Sequence, residues 1–196
     1  MNTAYKKSAF GLHSTPLTSL LYRGFSLVEL LLVVAVLGVF LAVTGPLVTR
    51  LVSSSKLTTA SNAFLYSIYL ARSEAIKRKG RVSLCKSENG LSCSVTGGWE
   101  QGWIVFDDND SNGQRDLDEA ILERVQSLSS NLRLTGNLPV SRYVSYVASG
   151  GTKLIGGGFQ AGTVTVCSSS SAEARQIVVN ATGRPRIQKV SSIACA

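Results

Sequence analysis

Two short stretches carry residues whose types and spacing could do chemistry. In DDNDSNGQRDLDE, starting at Asp108, the chain follows D-x-D-x-N-G-x5-E: Asp108, Asp110, Asn112, Gly113 and Glu119, with Asp116 at the ninth place. Oxygen ligands at that spacing are those of an EF-hand calcium loop. The flanking runs are strand-like, whereas such a loop joins two helices, so a polar hairpin with solvated acids is the competing reading. The second stretch is ATGRPRIQK, residues 181 to 189. Gly183 and Pro185 mark a turn. In an extended stretch Arg184 and Arg186 then fall on one side, while Ile187 is free to face inward and Lys189 has the opposite parity. Arginine's planar fork suits phosphate oxygens, and placement beside Pro185 limits the entropy lost on binding. A phosphate polyanion is the ligand such a pair predicts; two solvated surface arginines are the alternative.

Other chemistries lack their residues. The serine run at 168 to 171 has no G-x-S-x-G elbow, and the single histidine, His13, lies near the N-terminus. A histidine-based triad and a zinc site are both disfavoured. Trp99 and Trp103 flank Gly102 and would stack on a ligand or pack beside a strand, the commoner role. Asn180-Ala181-Thr182 matches a glycosylation acceptor formally but sits in a tight turn. The sequence therefore predicts no enzyme and no cofactor, with calcium as the one candidate ion.

Charge is segregated behind the net +8. Residues 25 to 86 carry eight basic side chains against Glu29 and Glu74, residues 87 to 124 carry nine acids against Arg115 and Arg124, and from 125 onward seven basic residues face only Glu173. The C-terminal region is thus basic, which invites a polyanion; Arg142, Lys153 and Arg175 are weaker candidates there.

The elements that must position these residues begin with RGFSLVELLLVVAVLG, residues 23 to 38. From Phe25 to Val48 the chain is almost wholly apolar, long enough to span a bilayer. Basic residues precede it and would hold that end in the cytoplasm. A carboxylate in hydrocarbon, here Glu29, costs several kcal/mol unless it is paired, about 2.5 or more on insertion scales. No small-residue cleavage box follows the run, so the plausible cut lies before it. Past Pro46 the helix continues to about Lys79, with Leu57, Ala60, Phe64, Ile68, Ala71 and Ala75 as a core-facing stripe. Lys77, Arg78 and Lys79 suit its last turn, and Gly80 is a natural stop. Short strand-like runs follow: RVSLC, GWIVF, ILERVQ, LRL, RYVSYVA, GTVTVC, RQIVVN and RIQKV, punctuated by Gly, Asn, Ser and Pro. Four cysteines, Cys85, Cys93, Cys167 and Cys195, contain no C-x-x-C and in an exported chain imply disulfides. The pairing nearest in sequence is Cys85–Cys93 with Cys167–Cys195, one of three connectivities.

The residues GFSLVELL resemble the type IV prepilin signature. That resemblance implies cleavage by prepilin peptidase between Gly24 and Phe25, N-methylation of Phe25, and a Glu29 that neutralises the amine of a neighbouring subunit in a filament. It also implies that Gly38 and Pro46 let the helix loosen on assembly. GWIVFDDNDSNGQRD, the late TVTVC and RQIVVN runs and the terminal GRPR resemble the GspH/FimT minor pilins, and G-R-x-R resembles the DNA-binding signature of the FimT branch at Gly183, Arg184 and Arg186.

The fold expected is α+β, a type IV pilin fold: a prepilin leader at 1–24, a transmembrane half-helix at 25–48, an amphipathic half at 49–80 and an antiparallel β domain at 81–196. The function expected is that of a minor pilin that sits in the bacterial inner membrane, joins other pilins in an extracellular pilus, and binds DNA for uptake in natural transformation through Gly183, Arg184, Arg186 and Lys189. A structural tip or priming subunit, or a secretion pseudopilin without DNA binding, is the alternative.

Overall fold

The computed structural model describes residues 24–169, 173–191 and Cys195. The leader positions, including Lys6, Lys7, His13 and Arg23, and two of the serines of the 168–171 run lie outside the described residues. The chain divides into two compact units, Met1–Val43 and Thr44–Ala196.

Helix α1 covers Leu27–Arg78. In the first unit its large apolar side chains, from Leu27 to Leu41, are exposed on every side, as is Phe25. A helix that is apolar all round needs partners outside its own chain. Among the described residues no helix is long and apolar enough to cross a membrane; the side chains of Val43 and of Gly45, Pro46 and Leu47, within the expected span, lie outside the description. Gly38 and Pro46 both fall inside α1.

In the second unit the predicted stripe of α1 is the centre of the core. Leu57, Ala60, Phe64, Ile68, Ala71 and Ala75 are all buried. Among the described residues eight strands follow, at the eight expected runs: β1 (Val82–Lys86), β2 (Trp103–Asp107), β3 (Ile121–Val125), β4 (Leu132–Gly136), β5 (Tyr143–Tyr146), β6 (Gly162–Ser168), β7 (Glu173–Val179) and β8 (Arg186–Ser191). They form two antiparallel four-stranded sheets, ordered β3-β2-β1-β5 and β4-β6-β7-β8. Both sheets turn apolar residues to the same helix face: Leu84, Val105 and Val144 from the first, Leu134, Val164 and Ile177 from the second. Strand β4 reads as strict alternation, with Leu132 and Leu134 buried between exposed neighbours. Strand β1 is buried along its whole length, because Val82 and Leu84 join the main core while Cys85 packs with Ile104 and Phe106 on the far side.

Both tryptophans belong to this core. Phe64 meets Trp99 and Trp103 edge-on, with ring centroids 5.0 and 5.2 Å away. Their indole N–H groups donate to the Val140 carbonyl and to Ser67 Oγ, so each buried polar atom is satisfied. Neither ring is available to stack on a ligand.

The helix ends one residue earlier than its stop glycine suggests. Lys79 N donates to the Ile76 carbonyl and Gly80 N to the Ala75 carbonyl, the hydrogen-bond pattern of a Schellman motif. The left-handed residue of that motif is Lys79, at φ 54°, and not the adjacent glycine. The disulfides join Cys85 to Cys93 and Cys167 to Cys195.

Candidate nucleic-acid interface

The turn between β7 and β8 contains Arg184, and Arg186 opens β8. The turn is built on Asn180, whose side-chain oxygen accepts hydrogen bonds from the Thr182 hydroxyl (2.8 Å) and the Arg184 N–H (3.0 Å). Asparagine favours such turns because its side chain imitates a backbone acceptor. The Asn180 carbonyl accepts from Gly183 N (2.9 Å) and from the Thr152 hydroxyl (2.9 Å), and Thr152 N donates to the Ala181 carbonyl. The turn is therefore stitched to the loop after β5.

Gly183 sits at φ 74°, a conformation that suits glycine. Its carbonyl accepts two hydrogen bonds, from Arg72 Nη1 of α1 (3.0 Å) and from the Tyr146 hydroxyl (3.2 Å). Burial pushes the Tyr146 phenol above its ordinary range, and the Arg72 charge pulls it the other way. That phenol stays protonated and remains a donor. Beyond Gly183 the chain alternates: Arg184 exposed, Pro185 buried, Arg186 exposed. The two guanidinium groups thus leave the same side of an anchored backbone. Ile187 is partly buried against the main core, as its parity requires.

Lys189 shares the parity of Ile187 and is the register partner of Arg175 in β7. It lies away from the side taken by Arg184 and Arg186. Arg175 donates to the Thr58 hydroxyl on α1 (2.7 Å), which gives that side chain a structural role. Arg142 and Lys153 are exposed just before β5 and in the loop after it; the Lys153 carbonyl accepts from Arg81 Nη1. Sequence reasoning missed Arg72, Tyr69 and Tyr146 as supports of the turn. The signal for the first two was the helix period: Tyr69, Arg72, Ser73 and Ile76 recur at three and four residues on a face that the core stripe leaves outside.

The acidic loop between β2 and β3 gathers three of the five predicted ligands. Carboxylate oxygens of Asp108, Asp110 and Glu119 lie within 4.8 Å of one another. The Asn112 amide donates to both Asp110 and Asp116, which links the remaining two predicted ligands to this group. Asp108 is fully buried and accepts from the Ser83 hydroxyl (2.5 Å) and from Gly113 N. Glu119 accepts from Asn109 N (2.7 Å) and Asp116 N (3.0 Å). Burial raises both carboxyls above their ordinary range, and these hydrogen bonds oppose it. Strands flank the loop on both sides, and its acids accept hydrogen bonds from the loop's own backbone. The same oxygens would be those offered to a hard cation.

In the first unit Gly24, Phe25 and Glu29 are all exposed, and Glu29 lies in the first turn of α1.

Residues 60–183 match the family described as type II transport protein GspH, and residues 21–45 match the prokaryotic N-terminal methylation motif. No curated protein matches the chain. Among solved structures it is similar to the type IV minor pilin FimU of Pseudomonas aeruginosa strain PAO1, with TM-score 0.53 and 15% identity over 71% of this chain and 92% of that one. A second crystal form of FimU gives 0.50 and 16% identity over 67% and 92%. The minor pseudopilin EpsH of the Vibrio cholerae type 2 secretion system gives 0.47 and 12% identity over 68% and 96%. The FimU likeness is one of fold: a long N-terminal helix on an antiparallel β domain.

Proposed function

The chain belongs to the GspH family of type II transport proteins and bears the N-terminal methylation motif, and from that membership we propose that it is a minor pilin of a type IV pilus that binds extracellular DNA, for uptake in natural transformation. Chains of this kind are non-enzymatic pilin or pseudopilin subunits, processed by prepilin peptidase and assembled with other pilins. The methylation match contains Gly24, Phe25 and Glu29. Cleavage after Gly24 and methylation of Phe25 follow, and Glu29 then meets the new amine of a neighbouring subunit. The apolar side chains of α1 exposed between Leu27 and Leu41 support inner-membrane residence before assembly, with the same surface packing against other subunits in the filament.

One observation carries the DNA reading. The Gly183 carbonyl is clamped by Arg72 and Tyr146, which fixes Arg184 and Arg186 outward on either side of buried Pro185. Two fixed guanidinium forks on a basic C-terminal region suit adjacent phosphates. Contacts to backbone phosphate carry little sequence information and weaken steeply with salt.

A second reading has its own support. The family description is one of type II transport, and the match ends at Gly183, one residue before Arg184. A pseudopilin or a priming subunit would need the fold and the helix but not the arginines. Gene deletion separates the two: loss of DNA uptake with intact type II secretion supports the DNA-binding minor pilin. Lost secretion with normal transformation supports the pseudopilin.

A further inference from the structure

The turn at Gly183 borders a surface that a bare phosphate clamp leaves unexplained. The outer face of an amphipathic helix packed on a sheet is ordinarily polar. In α1 that face carries Tyr66, 61% exposed, Tyr69, 48% exposed, and Ile76, 47% exposed. With Leu70, Arg72 and Ser73 they line an open groove. Rings three residues apart on a helix are neighbours, with Cβ atoms about 5–6 Å apart.

This groove and the arginine turn are joined. Arg72 lines the groove and donates to the Gly183 carbonyl at 3.0 Å, and the Tyr69 hydroxyl forms a long hydrogen bond, 3.5 Å, to the Pro185 carbonyl between the two arginines. The groove thus has two aromatic rings and the cation Arg72 in its lining, and the turn beside Arg184 and Arg186 is bonded to it. Glu74, the one acid in the second half of α1, is held by Lys77 and Arg78, so this charge is not neutralised from the helix.

We propose that this face binds single-stranded DNA, with unpaired bases stacked on Tyr66 and Tyr69 while Arg184 and Arg186 hold adjoining phosphates. The inference rests on the DNA reading of the turn and specifies the strand state of the ligand. Bases in a duplex stack on one another and offer no free face to a tyrosine, whereas an unpaired strand offers one at each base. Stacking of this kind tolerates any sequence, and alternation of rings with a cationic track is the general means of holding single strands. Arg72 has one N–H committed to the Gly183 carbonyl and contributes its charge to the track.

The test is fluorescence anisotropy on the full chain in detergent micelles, with labelled oligothymidine and a labelled blunt duplex of equal length. The intact protein binds the single strand about tenfold or more tightly than the duplex, on the scale of base–aromatic stacking. Tyr66→Ala, which keeps the Tyr69 contact with the turn, lowers single-strand affinity by about fivefold or more and duplex affinity by less than about twofold. Tyr66→Ala with Tyr69→Ala lowers single-strand affinity further, by about tenfold or more, and Tyr66→Phe with Tyr69→Phe retains the preference because the rings remain. Equal affinity for the two ligands, or tyrosine-to-alanine variants that keep single-strand affinity and lose only filament entry, overturns the proposal in favour of a subunit-packing face. In either of those cases weakened binding of both ligands by Arg184→Gln with Arg186→Gln leaves the DNA reading of the turn intact. Absence of binding to either ligand by the intact protein overturns that reading and the proposal together.

Discussion

Gly183 faces the carbonyl oxygen of Gly150 so closely that a Cβ on Gly183 would overlap it, and the Tyr146 ring would lie 2.8 Å from the same atom. The position is closed twice, by space and by its φ of 74°. Backbone and a buried ring stand in the way, neither of which can swing aside. The glycine that opens the G-R-x-R stretch is thus fixed by packing, and the arginines inherit their direction from it.

Gly183→Ala is accordingly expected to lower stability by about 2–3 kcal/mol, from left-handed strain plus the overlap. It should also weaken DNA binding, since the turn must move. Gly156 has no neighbour within 4 Å of its virtual Cβ, and Gly156→Ala serves as a control with a change within about 0.5 kcal/mol. Urea midpoints of the two variants check the contrast.

Lys79 occupies the left-handed position of the Schellman motif that ends α1. Lys79→Gly should stabilise the protein by about 0.5–1 kcal/mol, because removing the Cβ strain outweighs the added freedom of the unfolded chain. Thermal unfolding at fixed ionic strength reads this out, and a lower midpoint would contradict the assignment of strain to Lys79.

Glu123 on β3 has a buried Oε2 with no partner. Burial raises its carboxyl above the ordinary range, and the Ser67 hydroxyl opposes this. A raised folded-state value means that ionised Glu123 opposes folding. The penalty is absent below the unfolded value near 4.5 and fully present above the folded one. Glu123→Gln is expected to raise stability at pH 7 to 8 and leave it unchanged near pH 4. Unfolding curves at both pH values test the sign.

Cys167 and Cys195 close a loop with sequence separation 28, tying the chain beyond β8 to β6. Cys167→Ser with Cys195→Ser should cost about 2–4 kcal/mol by the chain-entropy estimate. Denaturation of the double variant beside the intact protein, without reductant, measures it. Four alkylatable thiols in the intact exported protein would remove the premise.

Local elements were legible in the sequence because their causes are local. The stripe from Leu57 to Ala75 follows the helical period, and each strand-like run is bounded by turn residues. Division of the strands into two sheets was not legible. It depends on β1 meeting β5 and β4 meeting β6 across long separations, which no short-range pattern encodes. At the interface, the outward parity of Arg184 and Arg186 was readable from Gly183, Pro185 and Ile187. The clamp was not, because Arg72 and Tyr146 reach Gly183 from 111 and 37 residues away. The ion-site spacing of the acidic loop was readable, whereas the hydrogen bonds that the backbone N–H groups of Asn109, Gly113 and Asp116 give its carboxylates were not, since partners of that kind carry no sequence signal.

The measurement that bears most directly on the central claim is the salt dependence of DNA affinity for the intact chain and for Arg184→Gln with Arg186→Gln, each verified as folded by circular dichroism. Two phosphate contacts predict that the double variant loses most of its affinity and that its slope of log affinity against log salt falls by about 1.4–1.8, depending on strand state. Unchanged affinity and an unchanged slope in the folded double variant would contradict DNA binding through this turn.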